Sequence, residues 1–142
     1  MGVNNPNLPS NVSSDEGAIQ YLAAILNSMR SGLYNGLTGS PTMTAAQMVG
    51  GSVDISGGTT ATATTDTAAN IIARMQALDA NAAIGSTASF TLINDNSGAL
   101  TLALGSGVTN AGVAGILTLA AGAANRYILK WTGAAAVTIS RG

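Results

Sequence analysis

The sequence predicts a mainly β domain, an antiparallel β-sandwich or jelly roll, preceded by an amphipathic helix and containing one short internal helix. Three observations carry this. From Ala88 onward apolar residues recur at every second position: Phe90 with Leu92, Leu100 with Leu102 and Leu104, Leu117 with Leu119, Tyr127 with Leu129 and Trp131, and Val137 with Ile139. A period of two sets one side of an extended chain on a core and the other in solvent. Turn-forming residues at 94–98, 105–107, 121–123 and Gly133 separate these runs, and short strands at roughly ten-residue spacing mark a sandwich or barrel. Helical spacing, in contrast, is confined to two stretches.

Residues 1–12 hold Pro6 and Pro9 among four asparagines, the composition of an extended arm that stays poorly ordered unless a partner ties it down. Ser13 and Glu16 form a capping-box pair and Asp15 adds charge to the first turn, so a helix is predicted to start there. Behind it Ile19, Leu22, Ala23, Leu26 and Met29 recur at helical spacing, with Tyr21 and Ile25 widening the stripe and Gly32 offering a left-handed stop. Such a helix packs on its own domain, pairs with its equivalents in an oligomer, or docks on a larger shell. Residues 33–41 are rich in Gly, Ser, Asn and Thr and read as a linker. The expected organisation is an arm and helix over 1–40, serving assembly, and a jelly-roll-like β-domain over 41–142.

Within that domain, residues 44–49 fit a single helical turn or a short strand, closed by Gly50 and Gly51. Val53 and Ile55 predict a brief strand before Gly57 and Gly58, and 59–65 alternates Thr with Ala as another. Asp66 is expected to cap the second helix, which runs through Ile71, Ile72, Met75 and Leu78.

Chemistry has few hosts here. The 142 residues include no cysteine and no histidine, and only 8% are charged, against roughly 25% in an ordinary domain. A Ser/His/Asp triad, a Cys/His pair and an imidazole metal site are excluded within one chain. Lys130, the sole lysine, has Tyr127 rather than Ser three residues before it, which argues against a Ser/Lys dyad. Asp15 and Glu16 fit a helix start, and Asp54, Asp66, Asp79 and Asp95 fit strand ends, caps or turns. Asn94-Asp95-Asn96-Ser97-Gly98 has the oxygen-rich look of a calcium loop, but its glycine comes one place early and the twelfth position is Gly105; a hairpin turn is the expected role. Gly105-Ser106-Gly107 lacks the lysine and third glycine of a phosphate loop. Trp131 and Tyr127, on one strand face with Leu129, read as core rather than as a stacking platform. A formal net charge of −1 gives no footprint for nucleic acid or an anionic membrane, no run approaches the ~18 apolar residues of a membrane span, and residues 1–12 lack the basic and apolar regions of a signal peptide. The expectation is a non-enzymatic protein without cofactor or metal, whose weakly charged surface is covered by copies of itself and by protein partners.

A set of short strings extends that expectation: Thr44-Ala45-Ala46-Gln47-Met48, Thr65-Asp66-Thr67-Ala68-Ala69-Asn70-Ile71-Ile72, Ser89-Phe90-Thr91-Leu92-Ile93-Asn94, Gly105-Ser106-Gly107-Val108, Leu119-Ala120-Ala121-Gly122 and Ala136-Val137-Thr138-Ile139. In this order they resemble capsid decoration (cement) proteins of tailed phages and related head-fibre or tail-fibre modules, over about two thirds of the chain. The resemblance implies a jelly-roll-like domain, usually homotrimeric, bound to the major capsid protein on the outside of the virion, with no catalytic residues. For assembly contacts the residues themselves offer Ile19, Leu22, Leu26 and Met29 on the helix, and Arg126 and Lys130 on one strand face. The main rival is a fibre or receptor-binding module with an exposed pocket for a host-surface glycan. Further rivals are a carbohydrate-active enzyme and a coat or tail-tube subunit that assembles without stopping at a trimer.

Overall fold

The computed structural model describes residues 18–22, 34–112 and 115–142. The chain divides into two units, Met1–Gly32 and Leu33–Gly142. In the first, residues 18–22 (α1) are helical, and Ile19 and Leu22 are exposed. The arm at 1–12, the capping box of Ser13 and Glu16, and Leu26, Met29 and Gly32 lie outside the described residues.

The second unit is mainly β, with mixed sheets. Strands β1 (Tyr34–Thr38), β2 (Ser52–Ser56), β4 (Thr87–Asp95), β8 (Ala124–Gly133), β9 (Ala136–Arg141) and β6 (Val108–Asn110) make one sheet, in the order β1-β2-β4-β8-β9-β6. Strands β3 (Ala61–Thr64), β5 (Leu100–Ala103) and β7 (Thr118–Leu119) make the other, in the order β3-β5-β7. The pairs β4–β8, β8–β9 and β5–β7 are antiparallel. The pairs β1–β2, β2–β4, β3–β5 and β6–β9 are parallel, which corrects the expectation of wholly antiparallel sheets. Alternation records that one face of a strand is buried; it carries no information on the direction of the neighbouring strand.

The parallel pairs stack three similar tiers. Each tier is a strand in the large sheet, a short arc, and an extended segment in the small sheet: β1 then Thr42, β2 then β3, β4 then β5. Thr38, Ser56 and Asp95 are in register at the strand ends. Beyond the arcs Thr42 bridges to Thr64, and Thr64 pairs with Ala103. The residue after each large-sheet strand turns the chain, and in the first two tiers it is a glycine at positive φ, Gly39 at 70° and Gly57 at 84°. In the third tier it is Asn96, only 4% exposed. The turn at 94–98, expected to close a hairpin, instead sends the chain from one sheet to the other. The expected linker likewise holds β1, whose Leu37 alone packs against the core.

Parallel neighbours need crossovers: a helix lies in those of β1–β2, β2–β4 and β3–β5, while β7 and β8 lie between β6 and β9. Ahead of β2 lies α2 (Ala45–Met48), started by a capping box in which Thr44 Oγ1 accepts from the Gln47 N–H and Gln47 Oε1 accepts from the Thr44 N–H at 2.8 Å. Between β3 and β4 lies α3 (Ala68–Leu78), whose N-cap is Thr67 rather than Asp66. Asp66 acts one residue earlier and joins both helices. Its carboxylate accepts from the Ala45 N–H at 2.7 Å, the Thr67 N–H at 2.8 Å and Asn70 Nδ2 at 2.7 Å. Partial burial pushes the Asp66 carboxyl upward, but the hydrogen bonds from Asn70, Ala45 and Thr67 together outweigh it and hold the group below the ordinary carboxylate value. Asp66→Ala is therefore expected to cost about 1–3 kcal/mol near neutral pH. A depressed folded-state value means that this contribution is present above about pH 4 and is lost as pH falls through the folded value. Urea titrations of both proteins at pH 7 and pH 3 should show the gap narrowing in acid.

One core fills the space between the sheets and under the helices. Met43, Met48, Ile71, Phe90, Leu102, Tyr127 and Ile139 are all essentially inaccessible. The rings of Phe90 and Tyr127 stack at 5.4 Å between centroids, and the Tyr127 hydroxyl donates to the Ile116 carbonyl at 2.6 Å. Burial raises the Tyr127 phenol above its usual value, opposed by the Asn125 hydrogen bond and the Arg141 charge. Trp131, 8% exposed, donates its Nε1–H to the Gly133 carbonyl at 2.6 Å. Both aromatics belong to the core, as their shared face with Leu129 predicts.

Candidate assembly surface

With Val53, Ile55, Phe90, Leu92, Leu129 and Val137 turned inward, the alternate residues of the large sheet form its outer face. Strand register arranges them in rows. Ser56 and Asp95 make the first, Asp54, Ile93 and Ala124 the second, and Ser52, Thr91 and Arg126 the third. Ser89, Ile128 and Ser140 follow, then Thr87, Lys130 and Thr138. The acids thus occupy the first two rows and the bases the third and fifth. Of two half-buried isoleucines in a ground of serine and threonine, Ile93 shares the row of Asp54 and Ile128 lies in the fourth row, between the two bases.

Two of the charges on this face have a neutral hydrogen-bond partner. The Tyr34 hydroxyl donates to Asp54 Oδ2 at 2.8 Å across β1 and β2. That hydrogen bond, and then the Asp54 charge, holds the exposed Tyr34 phenol above its ordinary value. Asp54 Oδ1 is shielded from solvent and has no hydrogen-bond partner among the described residues. Arg126 Nη2 donates to Ser89 Oγ at 3.0 Å, and Lys130 is exposed.

Of the residues singled out from sequence, Arg126 and Lys130 come together on this face. Ile19 and Leu22 are exposed in the other unit, and Leu26 and Met29 fall outside the described residues. Sequence reasoning missed Asp54, which stands at the centre of β2 rather than at a strand end. The signal was present: in Ser52-Val53-Asp54-Ile55-Ser56 the two apolar residues face in, which turns Asp54 out.

A second feature is a cleft of about 280 Å³ between the end of α3 and the start of β4, walled by Val49, Met75, Leu78, Ala82 and Ala88 with Asp79, Ser86 and Thr87 at its polar positions. Ser86 Oγ accepts from the Ala83 N–H at 3.0 Å and Asp79 Oδ1 from the Asn81 N–H at 2.9 Å, so these two polar groups already serve the local turn. Among the described residues no group of three or more acidic, histidine or cysteine side chains is placed to hold a metal, and no helix is long and apolar enough to cross a membrane. Compared with known protein families, curated proteins and solved structures, the chain finds no match.

Proposed function

We propose that this chain is a capsid decoration protein, a non-enzymatic and homotrimeric virion component that binds the major capsid protein on the outside of a phage head and stabilises the shell. The observation that carries the reading is the broad outer face of the large sheet, built mainly of serine, threonine and alanine with two acids, two bases and two isoleucines among them. A face of that kind has little to offer a reacting small molecule and much to offer another protein surface. The mechanism is additive burial. At about 25 cal/mol per Å² of apolar area, shallow contacts repeated over several coat subunits and joined within one trimer raise the work of separating the shell without any single strong contact.

The test is calorimetry of capsids with and without saturating protein. The decorated shells are expected to melt at a higher temperature, and an unchanged melting temperature overturns the cement role. Light scattering in solution checks the trimer independently, and a stable monomer overturns it.

A further inference from the structure

We infer that the outer face of the large sheet is where one copy of this chain meets the next, the acidic end of the face on one copy lying against the basic end on its neighbour. This assignment rests on the trimeric reading above and names the surface that builds the trimer.

An uncovered sheet face carries alternating polar residues as a matter of course, so polarity alone assigns nothing. The arrangement does. Asp54 and Asp95 lie in the two rows at one end and Arg126 and Lys130 in the third and fifth rows, with Ile93 beside Asp54 and Ile128 between the two bases. A membrane surface or nucleic acid would be met by one sign of charge. Two acids and two bases, separated along the same face, complement each other across two copies. Asp54 adds a second reason, since Oδ2 takes the Tyr34 hydroxyl and Oδ1 has no donor among the described residues. A guanidinium or ammonium from a neighbour compensates the charge of this under-bonded carboxylate. Where each copy gives its acidic end to one neighbour and its basic end to the other, the contact is heterologous, and a heterologous contact that closes makes a ring, as a trimer requires.

Complementary charges set which surfaces meet and penalise the wrong pairing, which makes charge exchange the test. Two half-exchanged proteins are made, Asp54→Lys with Asp95→Lys, and Arg126→Glu with Lys130→Glu, together with a protein bearing all four changes. Circular dichroism and melting temperature establish that each is folded; because Asp54 is half-buried, Asp95→Lys alone serves as the second acid variant. The half-exchanged proteins, with like charges at both ends, are expected to be monomers at concentrations where the wild type is a trimer. The fully exchanged protein regains the trimer but does not form mixed trimers with wild type, as read by native mass spectrometry. If the wild type is a trimer and the folded half-exchanged proteins remain trimers, the face assignment fails while the trimer stands. A monomeric wild type overturns both, and mixed trimers between the fully exchanged and wild-type chains overturn the acid-to-base pairing.

Discussion

Gly98→Ala is expected to destabilise the β-domain by about 3 kcal/mol, the upper end of the usual cost of overpacking, and to lower its melting temperature by about 10 °C. Gly98 lies in the third arc, and a Cβ built there would stand 1.9 Å from the carbonyl oxygen of Thr59 in the second arc. The obstacle is backbone, so no side-chain rotation relieves it. The arcs must separate instead, which loads the Ser97 N–H to Gly58 carbonyl bond at 3.3 Å and the Ala61 N–H to Ala99 carbonyl bond, also at 3.3 Å. Gly36→Ala is the control. Gly36 is in an edge strand at an ordinary φ, and its Cβ would meet nothing within 4 Å. That change should stay within about 0.5 kcal/mol of wild type. Thermal melts of the two variants distinguish close stacking of the tiers from a general intolerance of glycine replacement.

The same stacking explains what the sequence made legible. Strands β4, β5, β8 and β9 each hold two or more large apolar residues at alternate positions, so burial on one side writes itself into the chain. In β1 only Leu37 touches the core, and in β6 only Val108 is buried. An edge strand held mainly by backbone hydrogen bonds leaves little trace in side-chain pattern, and Tyr34–Thr38 consequently read as linker. Strand direction was illegible for a related reason. Val53 and Ile55 alternate identically whether β4 runs alongside or against β2. The helix starts were half legible: Asp66-Thr67 marks the boundary, but whether aspartate or threonine caps α3 depends on Ala45 arriving from another part of the chain. For the assembly surface, Arg126 and Lys130 were visible as a pair on one strand. The acids that complement them come from β2 and β4, and only the register across three strands shows that both sets share a face.

Asn94→Asp changes one atom and is expected to cost about 3–5 kcal/mol near neutral pH, the scale of an unpaired buried charge. Asn94 has no exposed surface. Its Nδ2 group faces the carbonyl oxygens of Gly98 at 2.9 Å, Leu119 at 3.1 Å and Ala120 at 2.9 Å. Its Oδ1 accepts from the Asn96 N–H at 3.1 Å and from Asn96 Nδ2 at 2.9 Å. Asn96 in turn donates to the Ile55 carbonyl at 3.1 Å and accepts from the Gly58 N–H at 2.8 Å. The two amides therefore tie the third arc to the second tier and to the end of β7, in the place where the first two tiers use a glycine to turn. A carboxylate at 94 would keep the acceptor side and set a negative oxygen against three carbonyls. Desolvation and those carbonyl dipoles both favour the neutral acid, so the folded-state pKa of the introduced group is raised. For a raised carboxylate value the penalty grows as pH rises past the unfolded value near 4 and is relieved below it. Acidified from pH 7 to pH 4, the variant is thus expected to recover stability relative to wild type, reaching a deficit of about 1–2 kcal/mol, that of a hydrogen bond left unmade. Denaturant titrations at the two pH values check this. A deficit that does not shrink in acid would mean that Asn94 matters through shape alone, whereas recovery assigns its role to donating hydrogen bonds into the stacked arcs.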